Sequence, residues 1–212
     1  MRLKRSFFDS DTNKVARELL GKKIVRVFDD GTKIEAIITE TEAYHGFEDK
    51  ASHASRKKTE RNKVMFEKAG LVYVYLIYGM HYCLNFTTMP GGYPAAVLIR
   101  SIVVNNSKGK GQKSKIQFKS LKVESLKNSL RTENCEIENF APINGPGRVT
   151  KFLGIDKTFY GENLFKNNMM WLEDGLKVKK SDIISSKRIG VDYAEESKDW
   201  EWNYKIRIKN DK

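Results

Sequence analysis

Two short stretches hold most of the side chains that could do chemistry. The first is Thr39-Glu40-Thr41-Glu42-Ala43-Tyr44, followed by His53. The second runs Tyr73-Val74-Tyr75-Leu76-Ile77-Tyr78-Gly79-Met80-His81-Tyr82-Cys83-Leu84-Asn85. A carboxylate at the end of an apolar strand can act as a general base on water when its surroundings tune it. Glu42 is the first candidate, with Glu40 as its rival. The plainer reading of either is an ion pair with one of the many lysines and arginines. Tyr44, Tyr73, Tyr75, Tyr78 and Tyr82 supply flat rings, which proteins use both to stack unpaired bases and to fill cores.

The turn Tyr78-Gly79-Met80-His81 sets bulky groups where solvent exposure is expected. That is the make-up of a wedge that enters a groove and unstacks a base step, and equally of a turn packed on a neighbouring loop. His53 lies in the small-residue run Ala51-Ser52-His53-Ala54-Ser55, where a backbone can approach a ligand closely. A lone histidine is also a common surface or core residue. Arg100 ends the apolar run Ala95-Ala96-Val97-Leu98-Ile99 and needs an anion, either a protein carboxylate or a phosphate. Gly145-Pro146-Gly147-Arg148 opens a basic helix whose free amides could hold a phosphate. No nucleotide-binding P-loop, dinucleotide fingerprint, Ser-His-Asp set or Cys-His arrangement stands out.

Charge narrows the partner. The 212 residues carry 39 Lys and Arg against 27 Asp and Glu, a formal charge of +12. Such an excess attracts polyanions, although a lysine-rich solvated surface has the same composition. Together with the carboxylate and the rings, it points to an enzyme acting on a base within nucleic acid. Cys83 reads as a small core residue. Cys83, Cys135 and the three histidines lack zinc-finger spacing, so no metal is expected. The N-terminus has no apolar stretch of signal-peptide length, and the longest apolar run, Leu71 to Tyr78, is too short to span a bilayer. An intracellular protein without a membrane partner is expected.

The elements that must position these residues follow from periodicity. Residues 12–20 read as a helix, with Asp11 or Thr12 as cap and Gly21 as stop. Lys23 to Phe28 and Lys33 to Glu42 read as a hairpin around Asp29-Asp30-Gly31. In a regular strand Ala36, Ile38, Glu40, Glu42 and Tyr44 would share one face. Residues 45–69 read as loop with a short helix. Val72 to Tyr78 and His81 to Phe86 form a second hairpin, and Pro94 to Val104 a buried strand. Residues 105–127, with seven lysines and one glutamate, read as a flexible basic insertion. A helix runs from Gly145-Pro146 through Leu153. Further strands and turns are expected at Trp171 to Gly175, Arg188 to Val191 and Trp202 to Ile208. No linker or repeat divides the chain, so a single domain over 1–212 is expected.

The order and spacing from Glu40 to Asn85 resemble those of the alkyladenine (3-methyladenine) DNA glycosylases. Arg61-Asn62 with Met65-Phe66 falls within the match, and weaker agreement extends to Leu19-Leu20-Gly21, Val97 to Arg100, Gly145-Pro146, Trp171-Leu172-Glu173 and Arg188-Ile189-Gly190-Val191. The resemblance implies an α+β fold, a single domain built on a curved, mostly antiparallel β-sheet flanked by helices. It implies a monofunctional enzyme that excises alkylated purines from damaged double-stranded DNA, acting as a monomer and without a cofactor. By position, Glu42 matches the general base, Arg100 the residue that helps hold the attacking water, and Val191 a further main-chain contact to that water. Tyr44, His53 and Tyr75 match the stack around the extruded base, and Asn85 the residue that excludes guanine. Tyr78 matches the intercalating side chain, with Met80 and His81 beside it.

Three features depart from the family pattern. His81 stands where an aromatic residue is usual, residues 105–127 are longer than expected, and Ile208-Lys209-Asn210-Asp211-Lys212 lacks the usual closing serine-containing strand. The main alternative is a non-catalytic protein that binds distorted or damaged nucleic acid, sharing the charge and the wedge. A base hydrolase directed at RNA is a third.

Overall fold

A computed structural model describes residues 1–105 and 140–207. All but Asn105 of the lysine-rich stretch, and the C-terminal Ile208–Lys212, lie outside the described residues. The short helix α1 (Arg5–Phe8) precedes α2 (Thr12–Leu19), β1 (Lys23–Val27) and β2 (Lys33–His45). Next come β3 (Val72–Ile77), β4 (His81–Thr87), β5 (Ala95–Asn105) and β6 (Phe140–Asn144). Helix α3 (Pro146–Leu153), β7 (Met170–Glu173), β8 (Ile183–Ser186) and β9 (Asn203–Ile206) follow.

Nine strands of the described residues form one curved sheet of central order β3-β4-β5-β2-β1-β7, giving the α+β class expected from the resemblance. Each of its strand pairings is antiparallel. Strand β6 lies beside β5, and β9 pairs with both β2 and β8. The two hairpins, the β5 strand and the α3 helix match the sequence periodicity closely. The short helix expected within 45–69 is a 3-10 turn at Lys63–Phe66. Arg188 to Val191 is not a strand but the loop leaving β8. Its two neighbouring segments, Ile183–Ser186 and Asn203–Ile206, pair with each other instead.

Helix α2 braces the back of the strand that carries Glu42. The Asp11 carboxylate caps it by accepting from the Lys14 N–H at 2.8 Å, a contact contributing about 1 kcal/mol. Val15, Ala16 and Leu19 are fully buried in the main core with Ile38, Ala43 and Ile99. Burial of each larger aliphatic side chain contributes about 1.5–3 kcal/mol. The Thr41 hydroxyl donates to the Ala16 carbonyl at 2.9 Å, and the His45 ring meets the Thr12 hydroxyl at 2.8 Å. Thr41, Ala43 and His45 therefore face the helix.

That arrangement corrects the expected facing of β2. Its register against β5 shifts between Ile38 and Glu40 and again between Glu40 and Thr41. A bulge adds a residue to one strand and turns the following side chains over. Ile38 and Ala43 both sit in the main core although five positions separate them, which a regular strand would forbid. Glu40, Glu42 and Tyr44 emerge opposite α2, off the face that Ala36 and Ile38 would have given them. Strand β9 takes up the edge where β1 ends, pairing Glu40, Thr41 and Glu42 with Lys205, Tyr204 and Asn203.

Candidate active site

On the face opposite α2, the sheet forms the floor of a cavity of about 550 Å³, within the range of small-molecule sites. Tyr44, His53, Tyr73, Tyr75, Asn85 and Arg100 line it, with Tyr78 at its mouth. A larger cavity of about 1350 Å³ lies on the α2 side, among Arg17, Trp202 and Tyr204. It shares none of these site residues, so the smaller cavity is the relevant one.

Glu42 is fully buried and does not itself line the cavity. Four donors converge on its carboxylate. Oε1 accepts from the Ile189 N–H at 2.9 Å and Asn203 Nδ2 at 3.1 Å. Oε2 accepts from the Tyr44 hydroxyl at 2.9 Å and an Arg100 guanidinium nitrogen at 3.3 Å. The acceptor capacity of a carboxylate is thereby filled. Tyr44 and Arg100 stand between it and the cavity.

Glu40, the rival, is tied down differently. It accepts from the Ser101 hydroxyl at 2.8 Å and Asn203 Nδ2 at 2.9 Å, and lies 3.6 Å from Arg100 Nε. That Nε is buried with no hydrogen-bond partner among the described residues. Arg100 thus lies between two carboxylates. The plainer reading of Arg100 and Glu42 as an ion pair is correct as geometry, but the pair sits at a cavity wall.

The rings enclose the rest. His53 meets Tyr75 edge-on with ring centroids 4.5 Å apart, and Tyr73 lies 5.4 Å from Tyr75. His53 Nδ1 contacts the Tyr73 hydroxyl at 2.9 Å, and its carbonyl accepts from Asn62 Nδ2 at 2.8 Å. Desolvation among the rings, aided by the Arg61 charge, lowers the His53 pKa to about 4, even though its side chain stays open to the cleft. The imidazole is therefore neutral at pH 7. Burial, and next the Glu42 charge, raise the Tyr44 phenol well above its ordinary range and keep it a donor. Burial likewise raises the Tyr73 and Tyr75 phenols and pushes the Cys83 thiol to about 11. Asn85, 2% exposed, spends its amide on the carbonyls of Tyr73 at 3.0 Å and Cys83 at 3.3 Å.

At the β3–β4 turn, Tyr78 is 87% and Met80 71% exposed. Tyr78 adopts φ +51° beside Gly79 at φ +69°. A left-handed backbone at a bulky residue costs about 1–3 kcal/mol and clusters at functional sites. The packed-turn reading therefore fails for these two side chains. His81 is also exposed, but its Cβ lies close against Gly147 at the start of α3. Neither Met80 nor His81 lines the cavity.

Val191 is buried with Ala51 and Ala194 and lines the cavity; its carbonyl already accepts from the Ala194 N–H at 2.9 Å. The main-chain group on Glu42 is instead the N–H of Ile189, two residues earlier.

Several members of the site carry no local signal in the sequence. Asn203 bridges Glu40 and Glu42 from β9, about 160 residues away in sequence, and no local pattern marks an asparagine for that task. Ile189 and Tyr193, 58% and 67% exposed, line the side of the mouth contributed by the loop after β8. Their signal was an Ile and a Tyr in a glycine-containing loop, visible only once the mouth is known. Arg61 lies over Tyr75 at 5.2 Å and donates to the Leu76 carbonyl at 3.3 Å. Among the described residues no group of three or more His, Cys, Asp and Glu could hold a metal. Nor is any described helix long and apolar enough to cross a membrane.

Comparison of the chain with known proteins shows what it is similar to. Residues 6–210 match the methylpurine-DNA glycosylase (MPG) family. A protein of Clostridium perfringens strain 13, assigned as a 3-methyladenine DNA glycosylase, is 41% identical over 209 residues, covering 98% of this chain and 96% of its own. Similarly assigned proteins of Desulfitobacterium hafniense (40% over 204 residues; 96% and 94% covered) and the archaeon Methanocella arvoryzae (41% over 202; 95% and 90%) match over most of their length.

Proposed function

The chain belongs to the methylpurine-DNA glycosylase family, the alkylated-purine glycosylases of base excision repair, and on that premise we propose that it hydrolyses the N-glycosidic bond with Glu42 as general base. The observation that carries this reading is the ion pair of buried Glu42 with partly buried Arg100 at the wall of a ring-lined cavity. A base inside a duplex is out of reach and must be extruded, at a cost of a few kcal/mol. The exposed, strained Tyr78 fills the gap it leaves, and the basic surface holds the backbone on either side. The extruded base stacks among Tyr44, His53 and Tyr75, whose electron-rich faces attract a cationic alkylpurine. Asn85 stands at the floor, where an exocyclic amine of normal guanine would meet it.

Water then attacks the sugar carbon. The C–N bond breaks, its electron pair leaves with the base, and Glu42 takes the proton from the water. A positively charged alkylpurine needs no protein acid to leave. For the water to reach Glu42, one of its four donors must give way. The Arg100 contact is the longest of the four, and Arg100 already lies at the cavity wall. The water enters there, held by Arg100 and directed by Glu42, and the Val191 main chain is a further contact to it in this reading. Among the described residues no lysine lines the cavity as a nucleophile, so the reading keeps the strand intact. In this reading the whole chain acts as one domain and as a monomer inside the cell, on double-stranded DNA, with no cofactor.

The test is release of free 3-methyladenine from methylated DNA by the purified protein, against the same lesion in RNA. Release from DNA with an unbroken strand supports the reading. Tight lesion binding without release would make it a binding protein, and preferential release from RNA would move the substrate.

A further inference from the structure

We propose that the buried Arg188–Asp49 pair is a positioning device for Glu42, setting the rate of bond breaking rather than the affinity for DNA. The inference rests on the glycosylase reading of the site. Both side chains are completely buried. One guanidinium nitrogen meets Asp49 Oδ2 at 2.5 Å and the other Oδ1 at 2.7 Å. Burying such a pair is expensive, and apolar residues of similar volume often serve stability as well or better. Arg188 Nε is, besides, buried without a hydrogen-bond partner among the described residues. The arrangement therefore calls for a role other than stability.

What the pair touches supplies that role. Arg188 donates to the carbonyls of Ala43 at 2.8 Å and Ser197 at 3.0 Å. Asp49 accepts from the N–H groups of His45 at 3.2 Å and Ala51 at 3.0 Å. Ala43 follows Glu42 directly, and Ala51 precedes His53 by two residues. The guanidinium also lies over the rings of Tyr44 at 4.9 Å and Trp202 at 5.2 Å, so it backs the ring that donates to Glu42. The next residue along, Ile189, offers its N–H to Glu42 at 2.9 Å. One ion pair thus joins the end of β2, the loop carrying His53 and the loop after β8, the three segments that meet around the carboxylate. No contact of the pair involves Tyr78 or the rest of the exposed tip, which is why affinity for the duplex is expected to stay.

Arg188→Lys, Arg188→Met and Asp49→Asn test this. Single-turnover base release is measured at saturating enzyme and corrected for the active fraction, alongside the dissociation constant for an undamaged duplex. Because misplacing reacting groups by about 1 Å costs roughly 100-fold in rate, Arg188→Met and Asp49→Asn are expected to lose about that factor. Affinity for an undamaged duplex should stay essentially unchanged, and Arg188→Lys should recover part of the rate. A merely structural role would lower the melting temperature and the active fraction while leaving the corrected rate constant at the wild-type value, and that result overturns the proposal. Amide hydrogen exchange at Ile189 decides independently of catalysis, even if Arg188→Met fails to fold or the wild type releases no base. Faster exchange there in Arg188→Lys and Asp49→Asn supports positioning, and unchanged exchange refutes it.

Discussion

Removing the Asn203 amide should destabilise the protein by more than a typical neutral hydrogen bond is worth. Its Nδ2 donates to Glu40 at 2.9 Å and Glu42 at 3.1 Å, and the side chain is 1% exposed. A hydrogen bond to a charged group contributes roughly 1.5–3 kcal/mol net, so two set a ceiling of about 6 kcal/mol. Two bonds from one amide share their relaxation and do not simply add, which brings Asn203→Ala to about 3 kcal/mol. For a chain of this length that is a fall in melting temperature of about 6–12 °C. The nearly isosteric Asn203→Asp sharpens the test, because it sets a third carboxyl beside the two. Like charges favour the protonated form of the introduced group in the fold. Its stability is then greatest at low pH and lost as pH rises. Thermal unfolding from pH 5 to pH 8 should show the gap between Asn203→Asp and wild type widening with pH. An Asn203→Ala melting temperature within about 2 °C of wild type, or an Asn203→Asp gap indifferent to pH, would refute the reasoning.

The other predictions concern the wedge, the water and the pocket ring. Tyr78→Ala should weaken binding to a lesion duplex by about 10–100-fold, the worth of one stacked ring, while the single-turnover rate stays near wild type. Gel-shift and rapid-quench measurements separate the two, and unchanged binding with a lost rate would contradict the wedge. Arg100→Met should cut the rate by about 100-fold or more, as loss of one charge-stabilising donor does, with lesion affinity retained. The His53 pKa is depressed from 6.5 to about 4 on folding. Its contribution to stability is therefore complete above pH 6.5 and lost as pH falls from 6.5 toward 4. In melting curves the difference between wild type and His53→Gln should shift over that window and stay flat above pH 7. A difference that does not change from pH 7 to pH 4 would be the contrary result.

Much of this fold was legible because local patterns carried it. Asp11 before the Val15-Ala16-Leu19 stripe marked α2, Gly31 and Gly79 marked the hairpin turns, and Gly145-Pro146 opened α3. The facing of β2 was not legible. A bulge at Thr39 and Glu40 leaves no mark in residue type, yet it decides that Glu42 turns away from α2. Tyr44, His53, Tyr75, Asn85 and Arg100, which the family resemblance picks out, line one cavity. Asn203 and the Ile189 N–H leave no such mark, since one is a lone amide at long range and the other a main-chain group without a side-chain signature. Arg188 was visible only as part of a short motif. Its partner Asp49, 139 residues away, gave no local sign of being buried.

The most direct measurement is base release from a DNA lesion panel by wild type and Glu42→Gln, with binding of the same duplexes measured in parallel. The panel carries 3-methyladenine, 7-methylguanine, hypoxanthine and ethenoadenine. With Glu42 as the base that activates water, wild type frees at least one lesion base, while Glu42→Gln binds that duplex and frees essentially none. Release by Glu42→Gln at the wild-type rate would contradict the account.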